Sequence, residues 1–456
     1  MSKKLVILGA GESGVGAAIL GKKEQYDVLV SDFGMISAET KALLNQEQIA
    51  YEEGGHTSAI QEADLVVKSP GIPEKVPVVK QFIEKGIPVI SEIEFGYQFV
   101  EQEKVIAITG TNGKTTTTLL TYHLLKTAGL NVAVGGNIGF SFAKLVAEGG
   151  YDYYVIEVSS FQLDGIISFK PDVAVLLNIT PDHLDRYDYD FNKYVNSKFR
   201  ITENLTKEQC LVYCSDCDPV NKELAKRKVE ASLFAVSTSS QENSAAYIDR
   251  EHLIFDLTFT RSGEFHAIPL AEIALIGRHN MINTMAAVLA SLHFDISIEK
   301  ILKALKTFKN APHRLEVVAE KQGVRYINDS KATNVDSVFY ALDGIQQPIV
   351  WIAGGIDKGN DYSQIEKLVH KRVKHLICIG KENTPLLRAF DNTTAVSEAA
   401  SMDEAVFRAS ELADEGDVVL LSPACSSFDR FRNYEERGDL FKAAVENLGT
   451  KAKAEV

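Results

Sequence analysis

The chain has 456 residues, 45% hydrophobic and 24% charged, with a formal net charge of −14. That length suits about three domains at ~150 residues each, and the acidic balance excludes a polyanion-binding surface, because affinity for a phosphate backbone rests on clustered Lys and Arg; nucleic acid is not an expected partner. No apolar run reaches the ~18 residues of a membrane span, and the opening "MSKKLVILGAG" has a strand-length apolar stretch rather than a signal peptide's longer one, so the expected location is the cytoplasm, with no membrane partner.

Apolar runs of strand length alternate with helical patterns along almost the whole chain, the signature of parallel sheets with crossover helices. The first block opens with "KLVILGAGESGVGAAIL", where Gly9, Gly11 and Gly14 form G-x-G-x-x-G between a strand and a helix. Such glycines let backbone N–H groups approach a diphosphate at the helix N-terminus. Asp32 ends the next strand 18 residues after Gly14, the place of a ribose-binding acid. NAD and a UDP-linked substrate fit equally, since each carries a pyrophosphate, and a ligand-free tight turn is the structural alternative. The block continues through "ADLVVKSPGI" and closes near "GIPVISEIEF".

The second block begins with "KVIAITGTNGKTTTT". A full Walker A motif needs a glycine five positions before Gly113, where this chain has Ile108, so the loop is a shortened variant, "TGTNGKT". Its parts remain those of a phosphate loop: Gly110 and Gly113 as hinges, the amides of Thr111, Asn112 and Thr116 near the phosphates, Lys114 on the outer oxygens, and the Thr115 hydroxyl for Mg2+. A metal partner belongs on a neighbouring strand, and "YYVIEVSSFQ" supplies Glu157, an acid in an otherwise apolar run. "NITPDHLDRY" puts Asp182, His183 and Asp185 just past another strand end. Lys198, in the helical "NKYVNSKF", reads from residue type alone as a surface lysine. Cys210, Cys214 and Cys217 have a spacing that resembles an iron–sulfur motif, but the first two flank "LVY" in a strand and read as small apolar residues. An acidic, polar and strand-rich excursion around residues 216–267 precedes the helical "NMINTMAAVLASL".

The third block follows the Pro-containing junction "NAPHRLEVV" with strands "RYIND", "PIVWIAGG", "VKHLICIG" and "DVVLLS". Three polar clusters fall at strand ends: residues 328–334 ("NDSKATN"), 354–359 ("GGIDKG") and 421–439. With His313 and Arg314 upstream, they gather Lys, Arg, Ser and Thr at one sheet edge, a composition suited to a carboxylate-bearing ligand.

Taken in order, "TGTNGKTT", "GGNIG", "EVSSFQL", "TPDHLDRY", "GRHNMIN", "HRLE", "NDSKATN" and "SPACSSFD" with N-x-x-x-RGD resemble the Mur ligase family over all three blocks, and "NDSKATN" is most like its glutamate-adding branch. The resemblance implies an α/β fold in three domains: Rossmann-like and UDP-substrate-binding at 1–93, P-loop ATPase-like at 94–309, and Rossmann-like and amino-acid-binding at 310–456. It implies an ATP-dependent ligase of peptidoglycan precursors that adds D-glutamate to UDP-N-acetylmuramoyl-L-alanine through an acyl phosphate, using ATP and two Mg2+ ions and acting as a monomer. Carried over by position, Lys114 takes the β,γ-phosphates and Thr115 a magnesium. Glu157 binds one magnesium, and His183 with a carbamylated Lys198 binds the other. Asn137 contacts the γ-phosphate or acyl group. Asn283, Arg314, Asp329 and Lys331 hold ADP. Thr333, Lys358, Ser427 and Tyr434 hold glutamate. Gly14, Asp32, Ser69 and Gly71 face the uridine diphosphate. Phe33 and Gly34 depart from the hydroxyl and arginine that relatives carry near the uracil, and Tyr434 stands where phenylalanine is common. A folate-type ligase would lack the first block, a nicotinamide oxidoreductase leaves the phosphate loop unexplained, and a nucleotide switch would hydrolyse ATP without the other substrates.

Overall fold

The computed structural model describes residues 2–239, 244–257, 265–275 and 277–448. Two compact units result: Met1–Ala274 with Met281–Phe308, and Leu275–Asn280 with Lys309–Val456. Among the described residues no helix is long and apolar enough to cross a membrane.

The first unit carries two sheets. Its N-terminal sheet is all parallel, in the spatial order Ala50–Glu52, Asp27–Ser31, Lys4–Leu8, Leu65–Lys68, Val89–Ser91. Leu5–Leu8 are fully buried, as a central parallel strand covered on both faces must be. The chain leaves Lys4–Leu8 towards one side and returns on the other, which makes the C-terminal edge between this strand and Leu65–Lys68 the topological switch point, where open α/β sheets take ligands.

The second sheet has nine strands, in the order Phe265–Pro269, His252–Asp256, Ser244–Asp249, Ser232–Ser237, Cys210–Cys214, Val173–Leu176, Lys104–Thr109, Tyr153–Glu157, Val132–Gly136. It is parallel except at the far edge, where the pairs of His252–Asp256 with both neighbours are antiparallel. The expected polar, strand-rich excursion is this edge, and part of it lies outside the described residues. The switch point falls between Lys104–Thr109 and Val173–Leu176, so the phosphate-type loop and the segment carrying His183 leave adjacent strands on the same side. One apolar core runs from Leu5 and Phe95 through Phe142 and Tyr154 to Leu211, joining the two sheets. Close approach helps to make it continuous: a Cβ on Gly16, in the helix Glu12–Lys23, would stand 1.9 Å from Ser141 Oγ.

The second unit has one six-stranded sheet, ordered Glu316–Lys321, Val324–Asn328, Val418–Leu421, Ile349–Ala353, Val373–Cys378, Ala395–Glu398. It too is mixed: Glu316–Lys321 pairs antiparallel with Val324–Asn328. That strand is half-exposed and alternates weakly, so the sequence offered only a junction there. Apolar clusters cover both faces of the sheet, one around the fully buried Trp351 and one around Phe441.

Candidate active site

The densest polar cluster stands at the switch point of the nine-stranded sheet. Lys104–Thr109 ends in the turn Gly110–Gly113, and the helix Lys114–Thr127 starts without a side-chain cap, its N-terminus being the positive end of the helix dipole. Gly113 has φ +86°, and a Cβ on it would lie 2.4 Å from Asn283 Oδ1, so the turn requires glycine. Asn283 is buried in the helix Arg278–Leu292, within the same unit, and Thr116 is buried in the first turn of the loop's own helix. The loop is braced by a residue the motif did not include. Asn178 takes the Asn112 N–H on its Oδ1 at 2.8 Å, returns Nδ2 to Asn112 O at 3.0 Å, and accepts the Thr111 N–H on its backbone oxygen at 2.8 Å.

Glu157, at the buried end of its strand, accepts from Thr115 Oγ1 at 2.7 Å and from Asn137 Nδ2 at 2.8 Å. Lys114 Nζ donates to Gly110 O (3.0 Å) and Thr111 O (2.8 Å), and Lys198 Nζ donates to the same Gly110 O at 2.7 Å. The surface reading of Lys198 is therefore corrected: only 2% of it is exposed, because the helix Phe191–Phe199 packs this face inward. Burial, with the Lys114 ammonium nearby, holds the Lys198 amine well below the usual lysine range. Tyr194, one helical turn before Lys198, has its ring centroid 4.8 Å from Nζ and its hydroxyl 3.1 Å from Thr111 Oγ1. The i, i+4 spacing of Tyr194 and Lys198 was the available signal for that pair. His183 has a left-handed backbone (φ +50°), a half-exposed side chain and an edge-on contact with Phe161 at 5.3 Å, and its Nε2 lies 3.6 Å from Asp182 Oδ2.

Magnesium fits this donor set. Glu157 and Thr115 offer hard oxygens side by side, and among the described residues no three His, Cys, Asp or Glu side chains form a ready metal cage. Mg2+ characteristically takes one or two protein ligands and completes its shell with water and phosphate oxygens.

In the N-terminal sheet the Gly9 turn faces Ser69, and Ser69 Oγ is buried with no hydrogen-bond partner among the described residues. A buried hydroxyl left unpaired beside a glycine-rich helix start is the expectation for an absent anion. Gly14 packs in the first turn of that helix, directly against Gly9 O. Asp32 turns inward: its Oδ2 accepts the Ala10 N–H at 2.7 Å and its Oδ1 the Gly34 N–H at 2.8 Å. The carbonyls of Pro70 and Gly71 accept from Arg186, whose guanidinium lies 4.3 Å from the Phe161 ring centroid.

In the second unit, polar loops follow three adjacent parallel strands, and a fully buried Arg437 ties them together. Its guanidinium donates to Ser330 Oγ and O, to Cys425 O and, at 3.4 Å, to Gly354 O. Burial lowers its pKa to about 10. Asp329 accepts from Ser422 Oγ (2.9 Å) and the Leu315 N–H (3.2 Å), and burial raises its carboxyl to about 7. Lys331 Nζ lies 3.6 Å from the centroid of the Tyr434 ring, a cation–π contact. Ser427 is buried, Thr333 part-buried and Lys358 exposed, on a loop whose Asp357 Oδ1 accepts the Gly359 N–H. Arg314 follows His313, whose side chain is buried against Asn328. Asn283 and the set Arg314, Asp329 and Lys331 thus belong to different units.

The Cys210–Cys217 run is apolar in character: Cys210 and Cys214 are buried along one strand with thiols pushed up to about 12, and the Cys217 thiol donates to Ile179 O.

Comparison with known proteins adds to this geometry. Residues 4–78 match the MurD N-terminal domain, residues 108–291 the Mur ligase middle domain, and residues 313–425 the Mur ligase glutamate ligase domain. The chain is 49% identical to the UDP-N-acetylmuramoylalanine–D-glutamate ligase of Christiangramia forsetii and 50% identical to that of Cytophaga hutchinsonii, each over 98% of this chain and 100% of the relative. Among solved structures it is similar in fold to a pseudomurein peptide ligase type C from Methanothermus fervidus, with TM-score 0.62, 21% identity and coverage of 98% of this chain and 100% of that one.

Proposed function

Since the chain belongs to the Mur ligase family, we infer from the relatives it resembles and from its own site that it joins D-glutamate to UDP-N-acetylmuramoyl-L-alanine at the expense of ATP, in peptidoglycan synthesis. The observation that carries the chemistry is the cluster at Gly110: two lysines converge on one carbonyl, and a carboxylate–hydroxyl pair stands at the mouth of an uncapped helix.

A carboxylate is a poor acyl donor because oxide would have to leave. Its oxygen therefore attacks the γ-phosphorus of ATP, the bond to ADP breaks, and an acyl phosphate forms. The glutamate amine, as the free base, then attacks the acyl carbon, and phosphate leaves with the former carboxylate oxygen. Two anions must meet in the first step, so catalysis is mainly positioning and charge neutralisation. Lys114 supplies positive charge by exchanging its loop carbonyls for phosphate oxygens. Asn137, whose Nδ2 donates to Glu157, would contact the γ-phosphate or the acyl group. Bound magnesium, held by Thr115 and Glu157 and by His183 with Lys198, would neutralise phosphate charge. Lys198 serves this as a carbamate. Its buried amine is biased towards the neutral form that reacts with carbon dioxide, and the carbamate replaces an ammonium crowded by Lys114 with hard oxygens. The uridine diphosphate lies at Gly14, Ser69 and Gly71, and the glutamate is held by Thr333, Lys358, Ser427 and Tyr434.

Isotope tracing tests the route. Substrate labelled with heavy oxygen in the alanine carboxylate should pass one labelled atom into inorganic phosphate with each amide made; unlabelled phosphate would refute the acyl phosphate.

A further inference from the structure

We propose that Phe33 is the platform on which the nucleobase of the uridine diphosphate substrate stacks, a binding contact that rests on the ligase reading above. Single exposed apolar side chains need no explanation. This one is set apart by its place and by its bracing. The strand Asp27–Ser31 ends at the C-terminal edge of the N-terminal sheet, and the turn after it exposes Phe33 by 79% and Met35 by 76%. The turn is fixed to the segment after the next strand: Asp32 N donates to Glu52 O at 3.1 Å, Gly54 N donates to Gly34 O at 2.9 Å, and Glu53 accepts both the Ile36 N–H (2.8 Å) and Lys41 Nζ (2.6 Å). The His56 ring stands 6.1 Å from that of Phe33, with its Nδ1 2.7 Å from Ser31 Oγ. An apolar side chain is thus presented to water on a rigid mount.

Asp32 gives the mount its meaning. One oxygen holds the Ala10 N–H of the glycine turn and the other the Gly34 N–H of the Phe33 turn, so a single carboxylate clips the two turns together. In a sheet of this kind the pyrophosphate takes the glycine turn and the ribose lies over the acid that ends the second strand. A nucleotide placed with its diphosphate at Gly9–Gly14 and Ser69 and its ribose at Asp32 extends its base towards the Phe33 turn. Residues 32–37 ("DFGMIS") contain no Lys or Arg, so no guanidinium of this turn can face the base, and the aromatic ring is the group available to cover it.

Calorimetric titration of the full-length enzyme with UDP and with inorganic pyrophosphate tests this. Phe33→Ala should weaken UDP binding by about 5- to 100-fold, the range of one base–aromatic stack, while pyrophosphate affinity stays within about twofold and Phe33→Tyr binds UDP like the parent. In turnover, the KM for the UDP-linked substrate should rise by the same factor with kcat nearly constant. UDP affinity in Phe33→Ala within twofold of the parent would overturn the proposal. Equal loss of UDP and pyrophosphate would also overturn it, by showing that the turn had collapsed, unless Phe33→Leu, which keeps the apolar bulk and lacks the π-face, loses UDP alone. A parent enzyme that bound ATP but not UDP would instead refute the uridine substrate itself, a result separable from one confined to Phe33.

Discussion

Lys198 and Glu157 are ionisable side chains that the fold buries, and each is explained by the other groups around Gly110. If Lys198 works as a carbamate, Lys198→Ala should be almost inactive and a short carboxylic acid such as acetate should restore part of the rate; absence of rescue at any concentration counts against the carbamate. Lys114→Ala should lower kcat on the order of 10²–10³, the usual cost of removing one preorganised group from a developing charge. Glu92 is a different case, a buried carboxylate outside the reaction. It accepts from Ser141 Oγ (2.6 Å) and the Ala143 N–H (2.7 Å) through one oxygen, its other oxygen has no partner among the described residues, and burial raises its pKa from 4.5 to about 7. The native state therefore binds the more protons between about pH 4.5 and 7, and rising pH through that window costs stability, on the order of 3 kcal/mol once Glu92 is ionised. Glu92→Gln removes that dependence, so its melting temperature relative to the parent should climb by a few degrees from pH 5 to pH 8. A difference independent of pH would exclude Glu92 as the titrating group.

The phosphate loop shows what is decided at the level of an element. Its glycines, lysine and threonine follow from local demands: a left-handed turn, a helix start without a side-chain cap, and a cation and a hydroxyl on consecutive residues. Gly113→Ala should accordingly reduce ATP affinity at least tenfold, because the added methyl meets both an unfavourable φ and Asn283, while UDP binding at the N-terminal sheet stays intact. Titration with the two nucleotides separates these effects. The braces of the loop were not legible. Asn178 is one polar residue in a segment already rich in them, and nothing local tells that its side chain reaches across to the loop after a neighbouring strand. Arg437 was hidden for the same reason. It stands in a charged, helical stretch, yet its guanidinium is buried among carbonyls of three loops far apart in sequence.

At the scale of the molecule, the first two sheets share a core and the third has its own, covered on both faces. Phosphate release from ATP should require the UDP-linked acid and D-glutamate together, since the acyl phosphate needs the first and its discharge the second; steady ATP hydrolysis without them would mark a nucleotide switch instead.

Legible in the sequence were the alternation of strands and helices, the parallel character of the sheet centres, the glycine–lysine–threonine loop and the polar clusters past the strand ends. These are set by periodicity and by turn chemistry, which act over a few residues. The tertiary structure alone decided that Lys198 is buried, that Asp32 clips two turns together, and that both larger sheets end in antiparallel edges. The Lys198 contact with Gly110 and the Asp32 contact with Ala10 join groups tens of residues apart in the chain, and the antiparallel edges, though hairpins of sequence-adjacent strands, take their place from the sheet they complete. Burial and hydrogen-bond pairing are properties of the packed fold, and no local pattern of residue types encodes them.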